Sequence, residues 1–369
     1  MRAKKVFIWC VTTVLLVGLA TALAGCGGTT GGTGGTAAKP LKIALLLPET
    51  KTARYETQDK PLFEAKVKEL APTAEILYSN ANQDAALQQS QADAALTNGA
   101  NVLVLDPVDS ASAASIVTKA AAQKVPVISY DRLILNADVN YYVSFDNEKV
   151  GSLQGQALLD KLTADGNAGK TIVMINGSPT DNNATLFKKG AHSVLDGKVK
   201  IGAEYDTPDW SPDKAQTEMD QAITKLGKNG FVGVLAANDG TGGGAIAAMK
   251  GAGIDPKTRP TTGQDAELAG IQRILLGEQY MTIYKAIKLE AEATAKLAVA
   301  LAKGEPVPTD LTLSKVNNVT KDVDSVLLAP VAVTKDNIKD TVVADGFWTA
   351  AQIMTTPELK AAGAAAGLQ

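Results

Sequence analysis

The sequence predicts an α/β protein of two similar lobes, each built around a parallel β-sheet. From residue 41 onward, short apolar runs alternate with helical stretches, a repetition typical of parallel strands joined by right-handed crossovers. The central runs are apolar throughout instead of alternating with polar residues, as expected for strands that helices cover on both faces. Ten runs are many for one open sheet, and they divide near residues 144–148 into two sets of about five.

The apolar runs define the predicted strands. The first set comprises residues 41–47, 75–78, 102–105, 125–129 and 141–144. The second set comprises residues 171–175, 199–205, 232–236, 259–262 and 280–283. Between the strands lie amphipathic stretches such as residues 148–162, in which Val150, Leu153 and Leu158 recur at helical spacing. Another long helix is predicted after Lys285.

The N-terminus has the pattern of an export signal that ends at a lipidated cysteine. Three positive charges precede a mostly apolar run over residues 6–23, and small residues then lead directly to Cys26. Bacterial lipoproteins resemble this pattern, in which the cysteine thiol receives a diacylglyceryl group and the signal is cut just before it. We therefore predict a lipoprotein signal over residues 1–25 and a lipid anchor at Cys26.

The segment after Cys26 is predicted to be a flexible tether. Residues 27–38 contain only Gly, Thr and Ala, so they lack side chains large enough to offset the entropy lost on ordering. We assign residues 26–40 to this tether. The alternative is an uncleaved membrane anchor, because the apolar run is almost long enough to span a bilayer. A tether that starts directly at the cysteine favours the lipoprotein interpretation.

Charge and composition exclude several functions. Removing residues 1–25 takes away three positive charges and changes the formal net charge from −3 to −6, which argues against nucleic acid as a partner. Cys10 leaves with the signal, so the mature chain has one cysteine and one histidine, His192. A zinc site is improbable, and a Cys-His nucleophile pair is ruled out because Cys26 is lipidated. We expect no metal, no cofactor and no catalytic residues.

Polar residues gather where the predicted strands end. In open α/β sheets, ligands bind beyond the carboxyl ends of the strands. Six such ends, together with the loop that carries Trp210, supply Asp, Asn, Arg, Lys and aromatic side chains. Carboxylates accept hydrogen bonds from vicinal hydroxyls, Arg and Lys donate them, and amides do both. Trp and Tyr offer flat apolar faces to the C–H side of a sugar ring, so a polyol is the predicted ligand class.

Each of these residues also has a structural interpretation. Strand-end Asp and Asn often cap the next helix, and Asp106, Asp109, Asn183 and Asp239 are well placed to do so. Trp210 alone could serve in packing, Lys285 could be an ordinary surface lysine, and His192 could be a surface or packed residue. The prediction of a ligand site rests on the coincidence of six strand ends.

At these residues the sequence resembles a known family, the sugar-binding proteins of ABC importers, which are type I periplasmic binding proteins. The sequence is close to the xylose-binding members of this family. The resemblance extends over about residues 41–304, and its motifs occur in the same order as in the family. It is carried by Ser129-Tyr-Asp-Arg132, Ser144-Phe-Asp-Asn-Glu-Lys-Val-Gly151, Gly177-Ser-Pro-Thr-Asp-Asn-Asn-Ala184, Ala237-Asn-Asp239, Gly263-Gln-Asp-Ala266, Leu268-Ala-Gly-Ile271 and Met281-Thr-Ile-Tyr-Lys285.

The resemblance implies two Rossmann-like lobes joined by three crossover strands, with the sugar enclosed between them. It implies an N-terminal lobe of residues 41–145 plus about 285–312, and a C-terminal lobe of residues 146–284 plus about 313–350. Residues 351–369, which are rich in Ala and Gly, are predicted to be a loosely packed tail.

Transferred by position, the family's sugar contacts fall on nine residues, with Asp181 as a weaker candidate. The nine are Arg54, Tyr55, Asp131, Arg132, Asn183, Trp210, Asn238, Asp265 and Lys285. The sequence departs from the family at three places. Tyr55 stands where the xylose-binding members tend to have Trp, the loop 54–59 is one residue longer, and residues 242–244 are all glycine. These departures concern the identity of the sugar more than its class.

The predicted function is that of a monomeric, lipid-anchored substrate-binding protein of an ABC importer on the outer face of the cell membrane. In a cell with two membranes, this is the periplasmic side. Its ligand would be a monosaccharide, D-xylose or a similar aldose, which it delivers to the permease. One alternative is a sugar receptor that signals to a chemotaxis partner or a sensor kinase.

A second alternative is an exported enzyme. Residues 240–245 follow a predicted strand and superficially fit a dinucleotide fingerprint, with Asp265 beyond them. Their position in the middle of an exported chain argues against this. Asp131 and Asp265 could also be imagined as glycosidase carboxylates, but Arg132 beside Asp131 should keep that carboxylate ionised.

Overall fold

The computed structural model describes residues 40–368, so the predicted signal, Cys26 and nearly all of the tether lie outside the described residues. Strands and helices alternate over the first part of this range. They are β1 (Lys42–Leu47), α1 (Lys60–Leu70), β2 (Glu75–Asn80), α2 (Ala85–Thr97), β3 (Val102–Leu105), α3 (Ala114–Ala122), β4 (Val127–Tyr130) and β5 (Tyr141–Phe145). Within residues 40–368, none of the helices has the length and apolarity that a membrane crossing requires.

The alternation continues through a second set of elements. They are α4 (Asn147–Ala164), β6 (Thr171–Asn176), α5 (Asn182–Leu195), β7 (Lys200–Asp206), α6 (Pro212–Leu226), β8 (Val234–Ala236), α7 (Asp239–Gly251), α8 (Leu268–Leu276) and β9 (Met281–Tyr284). The last part of the chain adds α9 (Ile287–Lys303), β10 (Ser314–Asn317), β11 (Asp322–Leu328), β12 (Val331–Thr334), α10 (Ala350–Ile353) and α11 (Pro357–Ala365).

The first lobe is built on a seven-stranded sheet in the order β10-β11-β5-β4-β3-β1-β2. All neighbouring strands run parallel except β10, which pairs antiparallel with β11. In β1, Ile43, Leu45 and Leu47 join the apolar cluster on one face, whereas Ala44 and Leu46 join the cluster on the other. A strand that is buried on both faces needs apolar residues at every position, which explains the unbroken apolar runs in the sequence.

The second lobe contains a parallel sheet in the order β7-β6-β8 and a two-stranded antiparallel pair of β12 with β9. Residues 259–262, predicted as a strand, form only one bridge, between Thr261 and Val234. The hydroxyl of Thr262 instead donates to Ala236 O at 2.8 Å and accepts from Ala236 N at 2.9 Å. A side chain thus replaces part of the backbone ladder here, so the regular strand is lost.

The chain crosses between the lobes three times. The crossings lie between β5 and α4, between β9 and α9, and between β11 and β12. The second crossing contains Lys285. This is the connectivity that the family resemblance implies.

The lobe boundaries near the C-terminus need a correction. Residues 313–350 were predicted in the C-terminal lobe, but β10 and β11 belong to the sheet of the first lobe, where β11 pairs parallel with β5. The buried side chains of Val323 and Val326 complete that sheet, and the chain returns to the second lobe only from β12 onward. Such a pairing joins residues far apart in the chain, and local sequence patterns carry no sign of it.

The predicted loose tail over residues 351–369 is also wrong for its described part. Most of it is helical, and Ile353, Leu359 and Leu368 are buried in an apolar cluster with residues of α8. The hydroxyl of Thr349 caps α10 and that of Thr356 caps α11. These caps and a few well-spaced apolar residues hold an Ala-rich segment in place.

Candidate functional site

A small cavity lies where the carboxyl ends of the strands from both lobes meet. Its lining comprises Thr52, Arg54, Tyr55, Asp131, Arg132, Asp181, Asn183, Phe187, Trp210, Asn238, Gln264, Asp265 and Lys285. The structure thus brings all nine sequence-predicted residues to one cavity. That these residues bind sugar remains a prediction.

Arg54 is held at the cavity by three buried carboxylates. Its Nη1 lies 3.1 Å from Asp131 Oδ1, and its Nη2 lies 2.6 Å from Asp59 Oδ1 and 2.6 Å from Glu290 Oε2. Burial favours the neutral form of the guanidinium, but the three carboxylates outweigh it and raise the pKa of Arg54 well above its ordinary value. Arg54 is therefore a fixed positive charge.

A turn of π-helix, Tyr55–Asp59, leads from Arg54 into α1. Single π turns of this kind occur frequently at functional sites. This turn coincides with the loop 54–59, which is one residue longer than in the family. It places Arg54 and Tyr55 in the cavity wall, with the Tyr55 ring 5.3 Å from Arg54 Cζ and 5.6 Å from Arg132 Cζ.

Asp131 is ionised and accepts hydrogen bonds from the first lobe. The Tyr55 hydroxyl donates to Asp131 Oδ2 at 2.9 Å, and Arg54 binds the other oxygen. Burial alone would raise the pKa of Asp131, but the neighbouring positive charges, Arg54 first and then Lys285 and Arg132, lower it well below its ordinary value. Tyr55 stays a neutral donor, because burial raises its pKa.

Arg132 lies among carboxylates from both lobes. Its Nε is 3.1 Å from Asp181 Oδ2 of the second lobe and 3.6 Å from Asp106 Oδ1 of the first. Its Nη2 is 3.6 Å from Glu49 Oε1. Desolvation lowers the pKa of Arg132, but Tyr55 and the surrounding acidic groups raise it well above its ordinary value. The pair of Arg132 with Asp181 spans the cleft between the lobes.

Lys285 connects the carboxylates of the two lobes. Its Nζ lies 3.1 Å from Asp265 Oδ1 and 3.7 Å from Asp131 Oδ1. Burial lowers the pKa of Lys285, but Asp265 and Asp131 outweigh this and raise the pKa above its ordinary value. One ammonium group therefore joins an acid of the first lobe to an acid of the second.

Three residues of the cavity have left-handed backbone conformations. The φ angles of Asp131, Trp210 and Asp265 are 52°, 53° and 86°. Asp131 N donates to Val143 O and Asp265 N donates to Ile283 O, each at 2.9 Å, so the two aspartates occupy equivalent places in the two lobes. Such conformations are unfavourable for residues with a Cβ and concentrate at functional sites, where the surrounding structure enforces them.

The second lobe supplies a flat aromatic wall. The Trp210 indole nitrogen donates to Asp181 Oδ2 at 3.1 Å, and Phe187 packs edge-on with its ring centroid 6.3 Å away. The ring is fixed on one edge by a hydrogen bond and supported by an apolar neighbour. An indole held this way can pack against the C–H face of a sugar ring.

Two amide side chains serve both in structure and in the cavity wall. Asn183 Nδ2 donates to Asp131 O at 3.0 Å, and Asn183 Oδ1 accepts from Asn147 at 2.9 Å. Asn238 Oδ1 accepts from Thr241 N at 2.8 Å and caps α7. The capping and cavity interpretations are therefore compatible for Asn238.

The predicted caps were only partly right. Asp109 accepts two backbone N–H groups in the turn that follows it. Asp181, not Asn183, caps α5, and Asp106 is buried beside Arg132. Asp239 follows the cap of α7 and accepts hydrogen bonds from side chains near β9.

Four residues of the cavity lining are not among the nine predicted ones: Thr52, Asp181, Phe187 and Gln264. Gln264 Oε1 is buried and has no hydrogen-bond partner among residues 40–368, so it offers an acceptor to a ligand. The sequence could have pointed to Gln264, because it lies directly before the predicted site residue Asp265. Nothing in the sequence pointed to Glu290, which lies on α9 and pairs with Arg54, because a single acidic residue on a helix is usually at the surface.

The glycines at the start of α7 have a packing role. A Cβ on Gly244 would lie 2.2 Å from Pro212 O, and one on Gly242 would lie 3.1 Å from Thr262 O. The absence of side chains therefore lets α7 pack closely against α6 and residues 261–262. This accounts for the glycine-rich pattern without a dinucleotide.

The single histidine lies outside the cavity lining, where His192 Nδ1 is 2.8 Å from Asp196 and Nε2 is 3.1 Å from Glu204. Partial burial lowers the pKa of His192, but Glu204 and Asp196 outweigh it and raise the pKa above its ordinary value. We expect the imidazole proton signal to titrate above the pH of a free histidine, and Glu204→Gln to move that titration downward. Because the pKa is raised on folding, the stabilisation is complete at acidic pH and is lost as pH rises through the folded pKa.

Proton NMR of the one histidine checks this directly. Asp322→Asn, on a distant strand, is the control and should leave the titration unchanged. A His192 titration at or below the free value would contradict the arrangement.

The position of the Trp210 ring depends on Gly177, directly after β6. A Cβ on Gly177 would lie 2.0 Å from the nearest indole carbon, so the ring would have to move. We expect Gly177→Ala to weaken sugar binding about tenfold or more and to cost about 1–3 kcal/mol of stability, as overpacking does. Calorimetry and urea unfolding measure the two effects.

Gly251→Ala is the matched control. Nothing lies within 4 Å of a Cβ added there, and the residue ends α7. Alanine at this place should keep wild-type affinity and stability or raise stability slightly. Equal behaviour of the two variants would show that the Trp210 wall does not contribute to binding.

The fold and this cavity define a class of protein, the two-lobed receptors that bind a small solute in the cleft between α/β lobes. Comparison with known proteins agrees. Residues 43–306 match the periplasmic binding protein domain. The chain belongs to the type I periplasmic sugar-binding proteins.

Two curated relatives cover most of the chain. One is the D-xylose-binding periplasmic protein of Escherichia coli (strain K12), which is 38% identical over 352 residues, 94% of this chain and 98% of that protein. The other is a multiple sugar-binding periplasmic receptor of Rhizobium radiobacter, 37% identical over 284 residues, 72% of this chain and 80% of that protein. The expected function of a sugar-binding receptor is confirmed at this level.

A solved structure confirms the fold class. An ABC transporter solute binding protein from Clostridium phytofermentans with bound β-D-glucose superposes with a TM-score of 0.77 at 29% identity, covering 85% of this chain and 99% of that chain. The predicted fold of two lobes with mostly parallel sheets is thereby confirmed.

Proposed function

We propose that this chain is the substrate-binding component of an ABC sugar importer that encloses D-xylose or a similar aldose and delivers it to the permease. The observation that carries the proposal is the cavity between the lobes, in which Lys285 joins Asp131 of one lobe to Asp265 of the other. Relatives named for D-xylose and for multiple sugars support the ligand class.

The chemistry of the wall suits a polyol. Vicinal hydroxyls both donate and accept, and the cavity offers fixed acceptors on Asp131 and Asp265 next to fixed donors on Arg54, Arg132 and Lys285. On the first lobe, Arg54 is already paired with Asp131, so both groups are held in place before a ligand binds. Preorganised donors and acceptors lower the cost of ordering the site on binding.

The transport cycle follows from the position of the cavity. A sugar that contacts both lobes stabilises the closed form by its differential affinity for closed over open. We infer that the lobes rotate about the three crossings, and that the permease recognises the closed form. A dissociation constant near 1 μM, about −8 kcal/mol, would suit a receptor that must also release its ligand.

A sugar panel tests this function. Thermal-shift measurements with D-xylose, L-arabinose, D-ribose, D-glucose and xylitol should show that an aldopentose raises the melting temperature most, because a ligand that binds only the folded state stabilises it. Calorimetry then gives the affinity. If none of these sugars stabilises the protein, the proposed function fails. If a hexose binds most tightly, only the sugar is reassigned.

Analysis of the recovered sugar separates a receptor from an enzyme. After prolonged incubation with the purified chain, the sugar should be unchanged in mass and anomeric composition. Any net conversion to a new product would favour the enzymatic alternative.

We also propose that the mature protein is a monomer held at the membrane by lipid on Cys26. Support for the lipid anchor comes from the sequence alone, in which an apolar run and small residues precede Cys26. Cys26→Ala should leave the protein unlipidated, so the mass shift of a diacylglyceryl group and the membrane association should both disappear. Lys4→Ala, which keeps two of the three N-terminal charges, is the control. A wild-type protein that carries no lipid would contradict the proposal.

A further inference from the structure

Two loops from opposite lobes hydrogen-bond to each other across the cleft, beside the cavity. The first-lobe loop, residues 107–110, follows β3, and the second-lobe loop, residues 178–182, runs from β6 into the first residue of α5. Ser110 N donates to Thr180 O at 3.0 Å, and Asn182 N donates to Ser110 Oγ at 3.1 Å. Thr180 Oγ1 also lies 3.3 Å from Val108 O. We call these three hydrogen bonds the latch.

Both sides of the latch are fixed to their own lobes. Ser110 O accepts from Leu135 N at 2.8 Å, which holds the first loop against the segment after β4. On the second side, Ser178 Oγ lies 3.0 Å from Thr180 Oγ1, and Asp181 N donates to Ser178 O at 3.1 Å. Movement of one lobe away from the other would therefore break the latch instead of carrying a loop along.

The residues that make the latch do not line the cavity, although Asp181 and Asn183, on either side of Asn182, do. Among the described residues, the lining of the cavity includes neither Ser110 nor Thr180 nor Val108. Ser110 is 3% exposed, so its side chain is enclosed by the two lobes where they meet. The neighbouring ion pair of Arg132 with Asp181 also crosses the cleft, but both of these residues line the cavity.

We propose that Ser110 and Thr180 are affinity-determining residues that hold the lobes closed and so set how long a bound sugar stays, without touching it. The inference rests on the proposed function and concerns the regulation of the same site. Hydrogen bonds made only in the closed form raise the closed fraction, and the apparent dissociation constant is the intrinsic one divided by that fraction. Release requires opening, whereas the sugar enters the open form. The latch should therefore act on the release rate more than on the association rate.

The test uses Ser110→Ala and Thr180→Val in the purified full chain. Each removes one side-chain hydrogen bond of the latch, and each should raise both the release rate and the dissociation constant about two- to tenfold. Stopped-flow tryptophan fluorescence, to which Trp210 in the cavity wall contributes, gives the two rates, and the association rate should change less than about twofold. Ser112→Ala removes an exposed hydroxyl from the turn after the first loop and is the matched control.

A measurement without sugar separates this inference from the proposed function. Small-angle scattering of the sugar-free Ser110→Ala, Thr180→Val double variant should show a larger radius of gyration than the wild type. If the wild type binds no sugar, the proposed function fails, and scattering still tests whether the latch holds the lobes together. If release rates and sugar-free radii match the wild type, the latch is overturned while sugar binding stands. If Ser110 and Thr180 only stabilised the fold, their variants would lower the free energy of unfolding without raising the release rate more than the association rate.

Discussion

Asp265→Asn is expected to weaken sugar binding by about 2–4 kcal/mol, because it removes a charged acceptor and leaves Lys285 without its nearer partner. Lys285 Nζ lies 3.1 Å from Asp265 but 3.7 Å from Asp131. Asparagine is the preferred substitution, since the φ of 86° at this position would strain alanine, whereas Asn tolerates left-handed conformations. Calorimetry with the tightest-binding sugar of the panel measures the loss.

Asp213→Asn on the exposed side of α6 is the control for the loss of one negative charge, and it should keep wild-type affinity. Lys285→Met in the Asp265→Asn background should cost less than the two single losses added together, because the residues act as a pair. Wild-type affinity in Asp265→Asn would remove this residue from the proposed site.

Arg54→Met is expected to lower the free energy of unfolding by about 3–5 kcal/mol, because it leaves Asp59, Asp131 and Glu290 buried without their shared positive partner. Since domains of this kind are stable by only about 5–15 kcal/mol, the loss is a large part of the total. Urea unfolding at neutral pH measures it, and sugar binding should fall as well.

Two further variants keep this prediction decisive. Arg54→Lys retains the charge but loses the planar fork, so it should destabilise less than Arg54→Met. Adding Glu290→Gln to Arg54→Met removes one buried carboxylate that has lost its arginine partner, so it should recover part of the free energy of unfolding. Arg259→Met, at a position hydrogen-bonded to nearby carbonyls, is the control for loss of an arginine. A loss below about 1 kcal/mol for Arg54→Met would show that the cluster is not held by its charges.

The fold was predictable where local patterns determine it. β1 and β3 are apolar throughout because both faces are covered, and the helices between them show the amphipathic spacing. The pairing of β11 with β5 was not predictable, because it depends on which lobe the returning chain meets. The order in residues 357–368 was missed for a related reason, since an Ala-rich segment becomes ordered only against α8.

The site was predictable to the extent that strand ends converge. Asp131 and Asp265 follow strand-like segments in equivalent places, so topology alone brings them together. Phe187 and Glu290 reach the site from within helices, and their direction depends on how each helix packs. The role of Asp181 was also hidden, because its Oδ2 accepts from Trp210 and pairs with Arg132, two partners distant in the chain.

The location of Lys285 in a crossing segment suggests an order of events for capture. A group on the axis of a rotation travels less than groups at the rims of the lobes, so the ammonium should stay near Asp131 when the cleft opens. In the open form, the first lobe would then keep a charged binding surface formed by Arg54, Tyr55, Asp131 and Lys285. Asp265 and the indole of Trp210 would arrive afterwards. The sugar would contact the first lobe first, and closure would then bring the second lobe onto it.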